Sequence, residues 1–152
     1  MKIRLFDYKD LNIVEFVRGN DKMEGCILCS KDSKYLHGSV FSIIQNAFNL
    51  SNPDYSYYEI SEYANQNLIS LRNHLQDHLS RLKNTESLYE FESYILKQVE
   101  GIDFLNELKT FYPKWKITWE TFRDKLVEVY EDILEMIDYC IDEERSFFVK
   151  GY

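Results

Sequence analysis

The sequence WETFRDKLVEVYEDILEMIDYCIDEE, residues 119–144, decides the fold because it predicts one long amphipathic helix. At about 100° per residue, its apolar positions form two neighbouring seams that together cover roughly half of the helix circumference. A helix with so wide an apolar surface must pack against several other elements. The first seam contains Trp119, Phe122, Leu126, Val129, Ile133, Met136 and Cys140, and the second contains Val127, Tyr130, Leu134, Ile137 and Ile141.

The opposite side of this predicted helix is acidic. Its carboxylates recur every three or four residues and therefore fall within an arc of roughly 80°. Carboxylates at this spacing repel one another, at a cost on the order of 2 kcal/mol for the series at low salt. A face that served only solubility could include lysines without loss, so we expect this one to bind a basic partner; the alternative is a solvated outer face. The residues are Glu120, Asp124, Glu128, Glu131, Glu135, Asp138 and Asp142.

Length and composition restrict the class of protein. A chain of 152 residues suits a single domain, and its formal net charge of −8 argues against a nucleic-acid binder or a binder of anionic membranes. No signal peptide or membrane span is evident, and the three cysteines do not resemble a disulfide framework. We therefore expect a cytoplasmic protein with a basic protein partner, and the sequence leaves a homodimer open.

Upstream of the last helix, the pattern predicts further helices over residues 36–50, 57–83 and 86–100, followed by a short apolar segment at residues 102–112 that Pro113 ends. Ser56 with Glu59 forms the signature of a capping box at the start of the second of these, and Thr85 precedes the third. Gly101 is expected to end the third helix. Leucines of the second helix recur at close to 3.5 residues, which is typical of packing along another long helix. The expected fold is mainly α: an antiparallel bundle of three to four long helices.

Residues 1–35 are open to two interpretations. A β-hairpin is the first choice, with residues 13–17 and 25–29 as strands around a turn at residues 19–21, followed by a loop at residues 30–34. The competing interpretation is a helix with Asp7 as N-cap and Gly19 as terminator, whose inward residues are Leu11, Val14 and Val17. The apolar tail at residues 147–149 either folds back on the core or forms a contact patch.

The loop at residues 52–58 carries a second set of candidate contact residues. Tyrosine supplies large contact area and a hydroxyl, and it is common at protein interfaces. We expect this loop to join the acidic helix in binding the partner. The candidates are Asp54, Tyr55, Tyr57 and Tyr58.

Two short motifs together suggest a metal site as an alternative. Cys26 and Cys29 form a CxxC, and His74 and His78 form an HxxxH that places both imidazoles on the same side of a helix. Two thiolates and two imidazoles suit tetrahedral Zn²⁺. The other interpretation is two free cysteines in a buried strand and two boundary histidines, with no cofactor.

The segment RNHLQDH, residues 72–78, resembles the Arg-polar-…-His motif of HEPN ribonucleases, which are all-helical proteins acting on RNA as dimers. The resemblance implies Arg72 as the cation that holds the phosphate, Asn73 as the polar residue after it, and His78 as the acid or base. These roles suit a guanidinium and a near-neutral imidazole. The competing interpretation is a solvated helix edge.

Together these features favour a non-enzymatic binding protein over an enzyme. A small, acidic, cytoplasmic protein resembles, in general character only, the immunity proteins and antitoxins that neutralise toxins. We therefore expect the basic partner to be a toxin, with the ribonuclease and the zinc-binding bundle as alternatives.

Overall fold

The computed structural model describes residues 1–5, 12–19 and 28–152 of the chain. Within these residues the protein is mainly α, with five α-helices and a four-stranded antiparallel sheet. The helices are α1 (Gly38–Ser51), α2 (Asn65–Lys83), α3 (Leu88–Leu96), α4 (Gly101–Phe111) and α5 (Trp119–Asp142), with a 3₁₀ turn (Trp115–Thr118) before α5. The strands are β1 (Ile13–Arg18), β2 (Lys34–His37), β3 (Ser61–Tyr63) and β4 (Phe147–Gly151).

Helix α5 matches the predicted span to within two residues, and its two seams face the core. The first seam is buried throughout, whereas the second is buried at three positions and half-buried at Val127 and Ile141. Helix α2 runs antiparallel to α5, because Arg72 pairs with Asp138 near one end and Lys83 pairs with Glu131 farther along. Helices α2 and α5 therefore pack along each other, as the leucine spacing of α2 predicted.

The bundle of three to four long helices is not confirmed. Helices α2 and α5 have 19 and 24 residues, whereas α1, α3 and α4 have 14, 9 and 11. The remaining core is formed by the sheet, whose strand order is β2-β1-β4-β3. The Phe16 ring of β1 lies 5.9 Å from Phe147 of β4 and 6.1 Å from Phe41 and Phe48 of α1. Helix α1 thus packs on the sheet through an aromatic cluster.

The first strand of the predicted hairpin is confirmed, and the competing helix is wrong for residues 13–18. Strand β1 pairs with β2 on one side and β4 on the other. Most of the predicted second strand lies outside the described residues, and its last two members, Leu28 and Cys29, form a turn. Lys34 and Leu36, expected in a loop and a helix, belong to β2, because Leu36 is fully buried in register with Val14. The apolar tail folds back as β4, a central strand.

Several predicted helix ends are wrong. Helix α2 begins at Asn65 rather than directly after Ser56, because residues 61–63 pair with the free edge of β4 as β3. Helix α3 is capped by Ser87, which forms a capping box with Glu90, whereas Thr85 bonds back to the end of α2.

Gly101 begins α4 instead of ending α3. A Cβ at Gly101 would lie 2.0 Å from the carbonyl oxygen of Ile95, so only glycine allows this close approach of two helices.

Candidate functional site

The acidic face of α5 consists of the seven carboxylates named above, and it points away from the two apolar seams. Six of the seven side chains are exposed, and Asp138 is half-buried. The face is held rigidly, because the other side of the same helix is fixed in the core. Its geometry therefore agrees with the arc that the sequence predicted.

Three members of the acidic face are bridged by cations. Arg72 and Lys83 of α2 reach Asp138 and Glu131 at 2.5 Å and 2.6 Å, respectively. Asp124 accepts from its neighbour Arg123 at 2.9 Å. The bridges from α2 could not be read from the sequence of α5, because they depend on how the two helices pack.

The other four members, Glu120, Glu128, Glu135 and Asp142, form no salt bridge with a described residue. The carboxylates of the face also act on a neighbouring residue, Asp132. Partial burial raises the pKa of Asp132 above its ordinary value, and the neighbouring carboxylates Glu135, Glu128 and Glu131 raise it further. Four of the seven carboxylates of the acidic face thus have no bridging cation among the described residues.

Only part of the predicted tyrosine loop is available for contact. The rings of Tyr55 and Tyr57 lie 6.3 Å and 6.2 Å from the Phe41 ring, so both pack on the core. Burial raises the pKa of Tyr55, whose hydroxyl has no hydrogen-bond partner among the described residues. Tyr58 is 78% exposed, and Asp54 is exposed as well.

The residues of the ribonuclease resemblance do not converge within one chain. Arg72 bonds to Asp138 and to Gln76, and the side chain of Asn73 is exposed. His78 lies six positions after Arg72, which places it about 120° around the helix and roughly 9 Å along the helix from Arg72. It is buried next to the Tyr130 ring, at a centroid distance of 6.5 Å.

The residues of the zinc alternative lie on different elements. Cys29 bonds through its backbone N–H to buried Glu15, and its Sγ lies 3.6 Å from the Tyr152 hydroxyl. His74 and His78 belong to α2. Cys26 lies outside the described residues, and among residues 1–5, 12–19 and 28–152 no group of three His, Cys, Asp or Glu is placed to hold a metal ion.

A buried carboxylate in β1 was not singled out from the sequence. Glu15 is fully buried and accepts hydrogen bonds from the hydroxyls of Tyr152, at 2.6 Å, and Tyr35, at 3.4 Å. These two hydrogen bonds connect Tyr152 and β2 to strand β1. The sequence does indicate this residue, because Glu15 stands inside the apolar, β-branched run of residues 13–17. A carboxylate buried with such a strand needs a hydrogen-bonding partner.

A polar cleft between α2 and α3 was also missed. It has a volume of about 440 Å³, and His78 forms part of its wall. Burial lowers the pKa of His78 below its ordinary value, and the charge of Arg81 lowers it further. Next to it, the hydroxyls of Tyr94 and Tyr130 are bonded at 2.7 Å. The cleft could not be recognised from the sequence, because it is formed by residues of α1, α2 and α3 that are far apart in the chain.

Comparison with protein-family models, curated proteins and solved structures found no match for this chain. No helix of the described residues combines the length and apolar character needed to span a bilayer.

Proposed function

We propose that this protein is a cytoplasmic, non-enzymatic binding protein that docks a basic protein partner on the acidic face of α5. The role would be that of an immunity protein or antitoxin, with the partner a toxin. The observation that carries the proposal is the exposed, incompletely neutralised row of carboxylates on a helix whose opposite side is fixed in the core.

The size of the face suits a protein partner. From Glu120 to Asp142 it extends for about 33 Å at 1.5 Å per residue, which is comparable with the dimension of a small domain. A surface of like charge speeds the encounter with an oppositely charged partner and disfavours acidic ones. Asp54 and Tyr58 remain candidates for a second contact, because both are exposed on their loop.

The experiment compares two triple variants with the same change in charge. Glu120→Lys, Glu128→Lys and Glu135→Lys together reverse three unbridged members of the face. The matched control reverses three exposed carboxylates elsewhere, Asp32, Glu86 and Asp103, also to Lys. The wild-type protein is used to isolate its partner from the source cell, and the affinity of each form for that partner is then measured.

We expect the face variant to bind at least about 30-fold more weakly at low salt, because each reversal replaces an attraction by a repulsion of the order of 0.5 kcal/mol. The control variant should bind as the wild type does, and the partner's toxic activity should be inhibited by both. Equal affinity of the face variant and the wild type would refute the proposal. Weakening confined to the control would place the interface away from the acidic face and would also refute the proposal.

A further inference from the structure

The segment of residues 109–117, which joins the end of α4 to the turn before α5, differs in charge from the rest of the chain. Its sequence, KTFYPKWKI, contains three lysines and no acidic residue, whereas the whole chain has a net charge of −8. Every residue of this basic segment except Trp115 is exposed. Lys116 pairs with Glu92 at 2.6 Å, but Lys109 and Lys114 form no salt bridge with a described residue.

Large apolar side chains are exposed in the same basic segment. Phe111 is 56% exposed and Ile117 is 77% exposed. The backbone between them is held in place, because the Tyr112 hydroxyl donates to the carbonyl of Met1 at 3.1 Å and the Tyr112 ring lies 5.1 Å from the Phe122 ring. Exposed apolar side chains grouped with lysines that lack a carboxylate partner favour a contact surface over a solvated one.

The basic segment continues the acidic face of α5 beyond the start of the helix. The backbone N–H of Ile117 donates to the carbonyl of Lys114 at 3.0 Å, and residues three apart in such a 3₁₀ turn lie above one another. Glu120 follows Ile117 by three positions, so it lies on the same side of the chain. One surface therefore begins with Lys114 and Ile117 and continues through the carboxylates of the acidic face.

Within one chain, the basic segment cannot bridge the far members of the acidic face. Glu128 and Glu135, which have no bridging cation among the described residues, lie about 17 Å and 27 Å beyond Ile117 at 1.5 Å per residue. Both distances exceed the reach of a lysine side chain. A surface that is basic at one end and acidic along the rest is complementary to a second copy turned by 180°, which is what a two-fold interface requires.

We propose that this surface forms a homodimer in which the basic segment of each copy docks on the acidic face of the other. The lysines of the segment face Glu128 and Glu135 of the second copy, and Phe111 and Ile117 are covered in the interface. Each contact occurs twice, because the interface is two-fold. The second copy then occupies the acidic face until a basic partner displaces it. This competition rests on the proposed function, whereas the dimer itself does not.

The proposal is tested by sedimentation equilibrium of the purified full-length protein at low salt. The segment variant, Lys109→Glu/Lys114→Glu, makes the basic segment acidic, and the face variant, Glu128→Lys/Glu135→Lys, makes part of the acidic face basic. Each variant is measured alone, and the two are then measured as an equimolar mixture. In the mixture every reversed lysine meets a reversed glutamate, so both contacts of the mixed dimer are again between opposite charges.

We expect the wild-type protein to dimerise with a dissociation constant of about 10–100 μM and to dissociate more readily as salt rises. Each variant alone should dimerise at least about tenfold more weakly, and the mixture should recover the affinity of the wild type. The matched control is Lys31→Glu/Lys97→Glu, which reverses two exposed lysines without a salt bridge to a described residue and should dimerise as the wild type does.

A wild-type protein that stays monomeric at about 500 μM would overturn the proposal. A dimer that survives in both variants would also overturn it, as would a mixture of folded variants that stays monomeric; circular dichroism verifies that each variant is folded. None of these measurements uses the basic partner. Failure of the dimer therefore leaves the proposed function intact, and failure to find a basic partner leaves the dimer intact.

Discussion

Phe147→Ala tests whether the chain end is part of the core. Phe147 is fully buried in β4, and its ring stacks on Phe16 at 5.9 Å with an interplanar angle of 15°. Truncating a buried phenylalanine costs about 3–5 kcal/mol, which includes the cavity that remains. The stacked pair adds to this, because aromatic contacts contribute about 1 kcal/mol beyond their buried area. We expect a loss of about 4 kcal/mol, a large part of the 5–15 kcal/mol typical of a domain.

The assay is urea unfolding followed by circular dichroism. The matched control is Phe111→Ala at the end of α4, where the side chain is 56% exposed, so the loss should be below about 1 kcal/mol. If Phe147→Ala does not fold, Phe147→Leu keeps most of the volume and should lose about 1–2 kcal/mol. Equal losses in the Phe147 and Phe111 alanine variants would refute the placement of β4 in the core.

Three further predictions concern buried polar groups. Burial raises the pKa of Tyr94 to about 12, so the folded state favours its neutral form. The free energy of unfolding should therefore be constant below about pH 10 and fall by about 3 kcal/mol toward pH 12. Unfolding measured at each pH should show a smaller fall in Tyr94→Phe. Burial lowers the pKa of His78, so stability should be full above about pH 6.5 and decrease below it, and His78→Asn should reduce this slope in acid unfolding curves. Glu15→Ala should lower the free energy of unfolding by about 3 kcal/mol, because it removes the carboxylate that accepts from the Tyr152 hydroxyl. Glu15→Gln keeps an acceptor and should lower it less. An equal loss in the two variants would contradict the role of Glu15 as a hydrogen-bond acceptor.

Periodicity predicted the elements that depend on local sequence. The extent of α5 and the direction of its seams follow from apolar spacing within one segment, so they were predictable. The acidic face follows from the same spacing. Two identical cap signatures show the limit of this approach. Ser87 with Glu90 caps a helix as the motif implies, whereas Ser56 with Glu59 does not, because the residues after it pair with β4.

The sheet could not be predicted, because its central pairing joins segments about 130 residues apart. Phe147 is in register with Arg18, and that partnership leaves no local trace beyond two short apolar runs. The cleft and the salt bridges between α2 and α5 could not be predicted for the same reason, because each joins residues that are far apart in the chain. His78 was noticed as part of a motif, but its burial and its orphaned nitrogen depend on α3 and on Tyr130 of α5.

Carboxylate footprinting of the complex tests the proposed interface most directly. Exposed carboxylates are labelled with a carbodiimide and an amine, with and without the isolated partner, and the labelled residues are identified by mass spectrometry. Complex formation should protect Glu120, Glu128 and Glu135 several-fold and leave Asp32 and Asp103 unchanged, because only the former lie on the acidic face of α5. Unchanged labelling of those three glutamates, with protection elsewhere on the protein, would contradict the account.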